Sequence, residues 1–182
     1  HDKRIRALIY LWLAQNVFLV ASAMLRTLNY IEDYSLTFLR LSALIWMGLV
    51  ATGLILIMAR IAFEKSNDWL LSANLATLAA TLYACCFVNF ASMIAHYNVT
   101  HSWEAKGRGL ALDRCYFGSL GPAVIPAIDW FLAQPGAGDT DLGRMMETVR
   151  MAAVDRLLGQ RGDWRVWTFR GWRLANYVLA RE

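Results

Sequence analysis

Residues 69–95, WLLSANLATLAATLYACCFVNFASMIA, carry no charged side chain. A helix needs about 20 apolar residues to cross the hydrocarbon core of a bilayer, and this run is longer. Directly after it the chain changes character. HYNVTH leads into a polar, arginine-rich region that continues to the end of the sequence. One segment therefore closes a membrane-like half and opens a half with the look of a soluble domain.

Composition sharpens that division. Of 182 residues, 58% are hydrophobic and 18% charged, too apolar for an ordinary soluble domain. Residues 1–97 hold 7 of the 18 Lys and Arg and 5 of the 14 Asp and Glu, so most of the charge lies in the second half. The net charge of +4 is modest and fits basic side chains touching lipid headgroups. No aromatic-basic pattern of RNA or DNA binding is present, which argues against a nucleic-acid partner. Cys85 and Cys86 are neighbours in an apolar run and point about 100° apart on a helix, leaving Cys115 alone. That spacing gives neither a zinc site nor a disulfide framework. The chain opens on His without signal-peptide architecture and reads as the C-terminal part of a longer polypeptide.

Three membrane spans are expected, at about 7–28, 39–61 and 69–96, within a transmembrane domain 1–97. Gln15, Asn16, Asn74, Thr77, Thr81 and Asn89 are their polar positions. Amides in such helices usually bond to a neighbouring helix, so structural glue is weighed above the lining of a transport path. In the first connector Tyr30 and Tyr34 suit the interfacial aromatic belt, and Arg40 is placed to pair with Glu32 or Asp33. Asn67-Asp68 is expected to cap the third helix. Lys3, Arg4, Arg6, Arg60 and Lys65 share one side of the membrane; Arg26, Arg40, Lys106, Arg108 and Arg114 share the other. The first helix tends to set orientation, which puts the amino flank in the cytoplasm and the second domain outside it.

Residues 98–182 read as a small helical soluble or peripheral domain. Helices are expected over about 110–120, 123–132 and 141–158, with QPGAGDT at 134–140 as a flexible connector. Leu142, Met146, Val149, Ala153 and Leu157 line one face of the third of these. A last helix is expected over 163–182. On a helical wheel Trp164, Trp167 and Trp172 share an arc with Leu174, Ala175, Val178 and Leu179, while Arg165, Arg170, Arg173 and Arg181 lie outside it. Such a face suits a helix lying in the headgroup plane. A core-packing helix of a small bundle reads equally well.

The catalytic and metal-binding patterns of the sequence are incomplete. His96 and His101 lie five apart, off the i, i+3 or i, i+4 spacing of two helical metal ligands. Gly118-Ser119-Leu120-Gly121 misses the nucleophile-elbow pattern by one position. Asn98-Val99-Thr100 matches a glycosylation sequon of the kind that occurs by chance. No phosphate loop or dinucleotide fingerprint is present, and no cofactor or metal is implied. Tyr97, Asn98, Asp113 and Tyr116 make a candidate polar cluster where the second domain meets the membrane, for which structural hydrogen bonding outweighs catalysis.

Phrases along the whole chain carry a resemblance. They are Tyr34-Ser35-Leu36-Thr37 with Leu39-Arg40; Asn89 with Ile94-Ala95 and Tyr97-Asn98-Val99; Asp113 and Tyr116; Leu120-Gly121-Pro122-Ala123-Val124-Ile125-Pro126-Ala127; and Asp163-Trp164-Arg165 with Trp167. Together they resemble an uncharacterised family of bacterial polytopic membrane proteins, domain of unknown function 4153/4173. Where members show Asn-Pro-Asp before Ile-Ala, this chain has Asn89-Phe90-Ala91-Ser92; where they show Trp-Asn, it has Trp167-Thr168. The resemblance implies the last membrane helices of a multi-pass protein of the bacterial inner membrane, followed by a helical tail, and implies no activity. The reading is an all-α protein, a three-helix membrane bundle with a small helical domain. Its expected partners are lipid, upstream helices of the same polypeptide and another membrane protein. A non-enzymatic role in envelope sensing, assembly or regulation is favoured over part of a transporter, or an enzyme joining Glu32, Arg40 or His96 to Asp113.

Overall fold

The computed structural model describes residues 2–107, 110–160 and 162–181, and among these every regular element is helical. The chain divides into two compact units, His1–Asn89 and Phe90–Glu182.

The first unit is α1 (Asp2–Tyr34), α2 (Phe38–Ala62) and α3 (Asn67–Phe87), with α2 packed against both of its neighbours. At 1.5 Å per residue, the 21 residues of α3 reach about 31 Å, one bilayer core. The 33 residues of α1 reach about 50 Å, so its polar ends extend beyond any single apolar slab. The expected connector after the first span shrinks accordingly to residues 35–37. Thr37 caps α2 by accepting from the Arg40 N–H, 3.3 Å away. Ser66 caps α3 by accepting from the Trp69 N–H, 3.2 Å away. The cap is therefore Ser66 rather than Asn67-Asp68, and Asp68 sits in the first turn, where the helix dipole favours an acid.

The expected third span ran on to residue 96. In the structure the helix ends at Phe87; Val88 is extended, with φ −84° and ψ 128°, and a separate helix, α4 (Phe90–His101), follows. Ile94, Ala95 and Val99 of α4 are fully buried in the second unit, so the boundary expected at residue 97 falls inside this helix.

Next come α5 (Trp103–Lys106), α6 (Arg114–Ser119), a 3-10 turn (Gly121–Val124), α7 (Ile125–Leu132), α8 (Asp141–Gly159) and α9 (Phe169–Leu179). Residues 110–113 are outside helix, shortening the element expected at 110–120, and Asp113 caps α6. The core is built by Ile94 and Val99 of α4, Ile125, Ile128 and Phe131 of α7, and Met146 of α8, closed by Val178 of α9. Along α8 the buried positions Leu142, Met146, Ala153 and Leu157 follow the expected face, with Val149 half-buried beside them.

The last helix is shorter than expected. Residues 162–168 form turns and irregular backbone rather than helix, and α9 starts only at Phe169. The cause is local. The Asp163 carboxylate accepts from the Arg165 N–H (2.9 Å), and the Val166 N–H reaches the Asp163 carbonyl (3.2 Å). Thr168, at φ −136° and ψ 147°, then accepts from the Gly171 N–H and starts a new helix.

Candidate functional site

Several polar side chains of the three long helices turn back on their own backbones. The Asn16 amide donates to the Trp12 carbonyl (2.7 Å), Asn74 to Leu70 (2.9 Å), Thr77 to Ala73 (2.8 Å) and Thr81 to Thr77 (2.9 Å). Thr27 and Thr52 do the same. Asn74 also packs closely on α2: its Oδ1 lies 3.3 Å from where a Cβ on Gly53 would be. A glycine at that point lets α2 and α3 approach, and the amide fills the space.

Arg40 organises the first connector. Its guanidinium donates to the carbonyl of Tyr34 at 2.6 Å and to that of Ser35, and it lies 5.9 Å from the ring centres of both Tyr30 and Tyr34. The last carbonyls of a helix have no partner within it, and Ser35 takes a φ of 71°, uncommon for a residue with a Cβ. Among the described residues no ion pair joins Arg40 to Glu32 or Asp33, both of which are exposed. Backbone took the arginine because the connector folds tightly beneath it. Arg60, in the last turn of α2, has a buried Nε with no hydrogen-bond partner among the described residues.

The most connected polar group is one the sequence pattern passed over. Asp129 sits in α7, IPAIDWFL, and its side chain is only 10% exposed. Its Oδ1 accepts from Arg150 Nε of α8 at 2.6 Å, and its Oδ2 accepts from the Tyr177 hydroxyl of α9 at 2.9 Å. Arg181 lies 3.5 Å from the same Oδ2, donates to the Tyr177 oxygen and covers that ring at 4.4 Å. Burial pushes the Tyr177 phenol above its ordinary value of about 10, and the hydrogen bond to Asp129 with its negative charge adds to the rise; Arg181 and Arg150 oppose it. One carboxylate thus ties three helices together. A lone acid within an otherwise apolar helix was the available signal, since such an acid is buried only when paired.

The other expected site residues have local partners. The His96 ring meets Trp130 edge-on at 5.7 Å, and Tyr97 stacks on His101 at 4.2 Å. Asn98 is buried in α4, Asp113 accepts from the Tyr116 N–H at 3.0 Å, Tyr116 is half-buried, and Asn89 is exposed directly before α4. Glu32, Arg40 and Asn89 belong to the first unit and the others to the second. Among the described residues no three His, Cys, Asp or Glu side chains are grouped to hold a metal.

A cleft of about 720 Å³ opens in the second unit beside the 134–140 loop, between Trp103, Glu104, Arg114, Phe131 and Asp141. Its acids are engaged. Both Glu104 oxygens accept from the Leu112 N–H at 3.2 Å, and Asp141 pairs with Arg144 at 2.5 Å. Of the expected interfacial residues, Trp164 and Trp167 lie in the turns before α9, 81% and 61% exposed, with Arg165 exposed between them. Arg170, Trp172 and Arg173 lie on the outer side of α9.

Three helices long and apolar enough to cross a membrane, followed by a compact helical unit, define an all-helical protein with a membrane-compatible module. The chain belongs to the family described as Domain of unknown function (DUF4153), whose model matches residues 1–130. The match takes in the first unit and the second as far as Trp130; Asp129 lies inside it, and Arg150, Tyr177 and Arg181 lie beyond. No curated protein and no solved structure matches the chain.

Proposed function

We propose that this chain is a non-catalytic module of the bacterial inner membrane, which anchors a helical domain there and acts in envelope sensing, assembly or regulation through another membrane protein. The observation that carries the reading is the state of the polar side chains in α1–α3. Asn16, Asn74, Thr77 and Thr81 each donate to a carbonyl of their own helix, and the Asn74 amide oxygen fills the space beside Gly53 of α2. A transport path needs such groups turned toward a shared cavity. In the second unit Asp129, Glu104 and Asp141 are likewise committed to structural partners. On the long helices the side chains open to recognition are apolar: Trp46, Val50, Leu71 and Leu75 face outward and suit lipid or further transmembrane helices.

Photo-crosslinking residues placed at Val50 and Leu75 in cells test this. Adducts to another membrane protein, competed by the unlabelled chain, are expected. Adducts to lipid alone, with solute flux in proteoliposomes that Asn74→Leu abolishes, would replace the reading by transport.

A further inference from the structure

The exposed apolar side chains of the second unit are not evenly spread. Among its described residues eleven large hydrophobic side chains are exposed, and six of them, Trp164, Val166, Trp167, Phe169, Trp172 and Leu179, fall within one short stretch at its end. A core explanation for this stretch is answered by the fold: Ala175 and Val178 of α9 are buried, and the aromatic residues point elsewhere. Arginines are interleaved with the rings. The Arg165 guanidinium lies 5.6 Å from the Trp164 ring centre, Arg173 lies 6.0 Å from Phe169, and Phe169 stacks on Trp172 at 5.9 Å. Between Trp164 and Arg181 the sequence has no acidic residue; Asp163 precedes the stretch and is engaged by the Arg165 N–H.

We propose that residues 164–173 form a docking surface for anionic phospholipid headgroups of the membrane that α1–α3 cross. The chemistry matches at both ends. Trp and Phe settle where an apolar body meets a wet polar layer, and a guanidinium resting on a ring keeps its N–H groups directed to phosphate oxygens. Proximity adds to the match. The second unit starts at Phe90, directly after α3 ends at Phe87, so a bilayer holding α3 presents its surface at high effective concentration. The surface is a turn plus the outer side of a short helix rather than one continuous amphipathic helix. The inner side of α9 stays with the bundle, so docking does not require the domain to open.

The inference rests on the membrane reading of α1–α3, and the test separates the two. The full chain, with Cys85, Cys86 and Cys115 changed to Ser, is placed in nanodiscs and labelled with an environment-sensitive fluorophore at V166C, at M151C on the exposed side of α8, or at L75C in α3. Lipids brominated at known depths act as quenchers. Expected are deep quenching at L75C, shallow quenching at V166C in phosphatidylglycerol, and none at M151C. High salt and the R165Q/R173Q pair weaken the V166C signal, by about fivefold in the docked-to-free ratio for each arginine removed. Quenching at L75C without quenching at V166C would overturn the docking surface and hand the patch to a protein partner. Equal quenching at V166C in phosphatidylcholine would overturn the assignment of anionic headgroups. Absence of quenching at L75C would overturn the membrane reading and the inference with it.

Discussion

At Gly143, in the first turn of α8, an added Cβ would stand 2.1 Å from the Ala137 carbonyl oxygen and 2.9 Å from Gly138. Those atoms are backbone of the 134–140 loop and cannot swing aside. Gly→Ala inside a helix ordinarily stabilises by about 1 kcal/mol, but overpacking of this kind costs about 3 kcal/mol. Gly143→Ala is therefore expected to lower the thermal midpoint of the detergent-solubilised protein, while Gly48→Ala, where nothing lies within 4 Å, leaves it unchanged or raises it. Asp129 sets a second test. Asp129→Ala leaves Arg150 and Tyr177 without their acceptor, and Arg150 is 25% exposed. A loss of about 2–3 kcal/mol is expected, near the lower end for a broken buried pair. Arg181→Gln, at a side chain 55% exposed, should cost no more than about 1 kcal/mol. Hydrogen exchange of the α7–α9 amides reads both. Tyr177 adds a pH signature. Its phenol is raised in the fold, so as pH climbs above about 10 the unfolded chain gives up this proton before the folded chain does. Stability from Tyr177 is thus complete below that value and is lost as pH rises through the raised one. The advantage of the wild type over Tyr177→Phe, about 1 kcal/mol near neutrality, should shrink in the alkaline range; a gap constant to high pH would contradict this.

Among the elements, Thr168 decides where the last helix begins. Its hydroxyl accepts from the Gly171 N–H at 3.0 Å, and replacing such a cap by Ala typically costs about 1 kcal/mol. Thr168→Ala should therefore speed exchange at the first amides of α9 and leave α8 unchanged; equal protection in both proteins would remove Thr168 from this role. The same residue explains what the sequence could and could not disclose. Three long apolar helices were legible because charge-free length is a one-dimensional signal. The α8 face was legible because Leu142, Met146, Ala153 and Leu157 repeat at helical spacing. The helix expected over 163–182 failed because a wheel records only angles. Trp164, Trp167 and Trp172 share an arc on it, yet Asp163 and Thr168 each offer the backbone a side-chain acceptor that competes with continuing the helix. The third span was overextended for a related reason: the uncharged run continues through Val88-Asn89, and a single amide inside it reads as a polar position of a span rather than as the end of a helix. Asp129 escaped notice because periodicity counts apolar positions, and its partners Arg150 and Tyr177 lie 21 and 48 residues away.

For the whole molecule, orientation follows from connectivity once α1–α3 are taken to cross a membrane. The Arg6 guanidinium meets Glu64 at 3.1 Å, which places the amino flank and the α2–α3 connector at one end of the first unit. Three crossings then put Lys3, Arg4 and Arg6 on the opposite side of the bilayer from Phe90 and everything after it. The cationic flank favours the cytoplasm, so the second unit is expected outside it. Cys115 is a native reporter, exposed on α6 in that unit. With Cys85 and Cys86 changed to Ser, a membrane-impermeant maleimide should label Cys115 in intact cells once the outer membrane is permeabilised. Labelling that appears only after lysis would reverse the orientation. Counted along the sequence close to the spans, Lys and Arg are five on each side, Lys3, Arg4, Arg6, Arg60 and Lys65 against Arg26, Arg40, Lys106, Arg108 and Arg114, so the flank decides by position rather than by number. Changing Lys3, Arg4 and Arg6 together to Gln is expected to give a mixed population, part labelled before lysis and part after. An unmixed pattern in that variant would mean that another segment of the chain fixes the orientation.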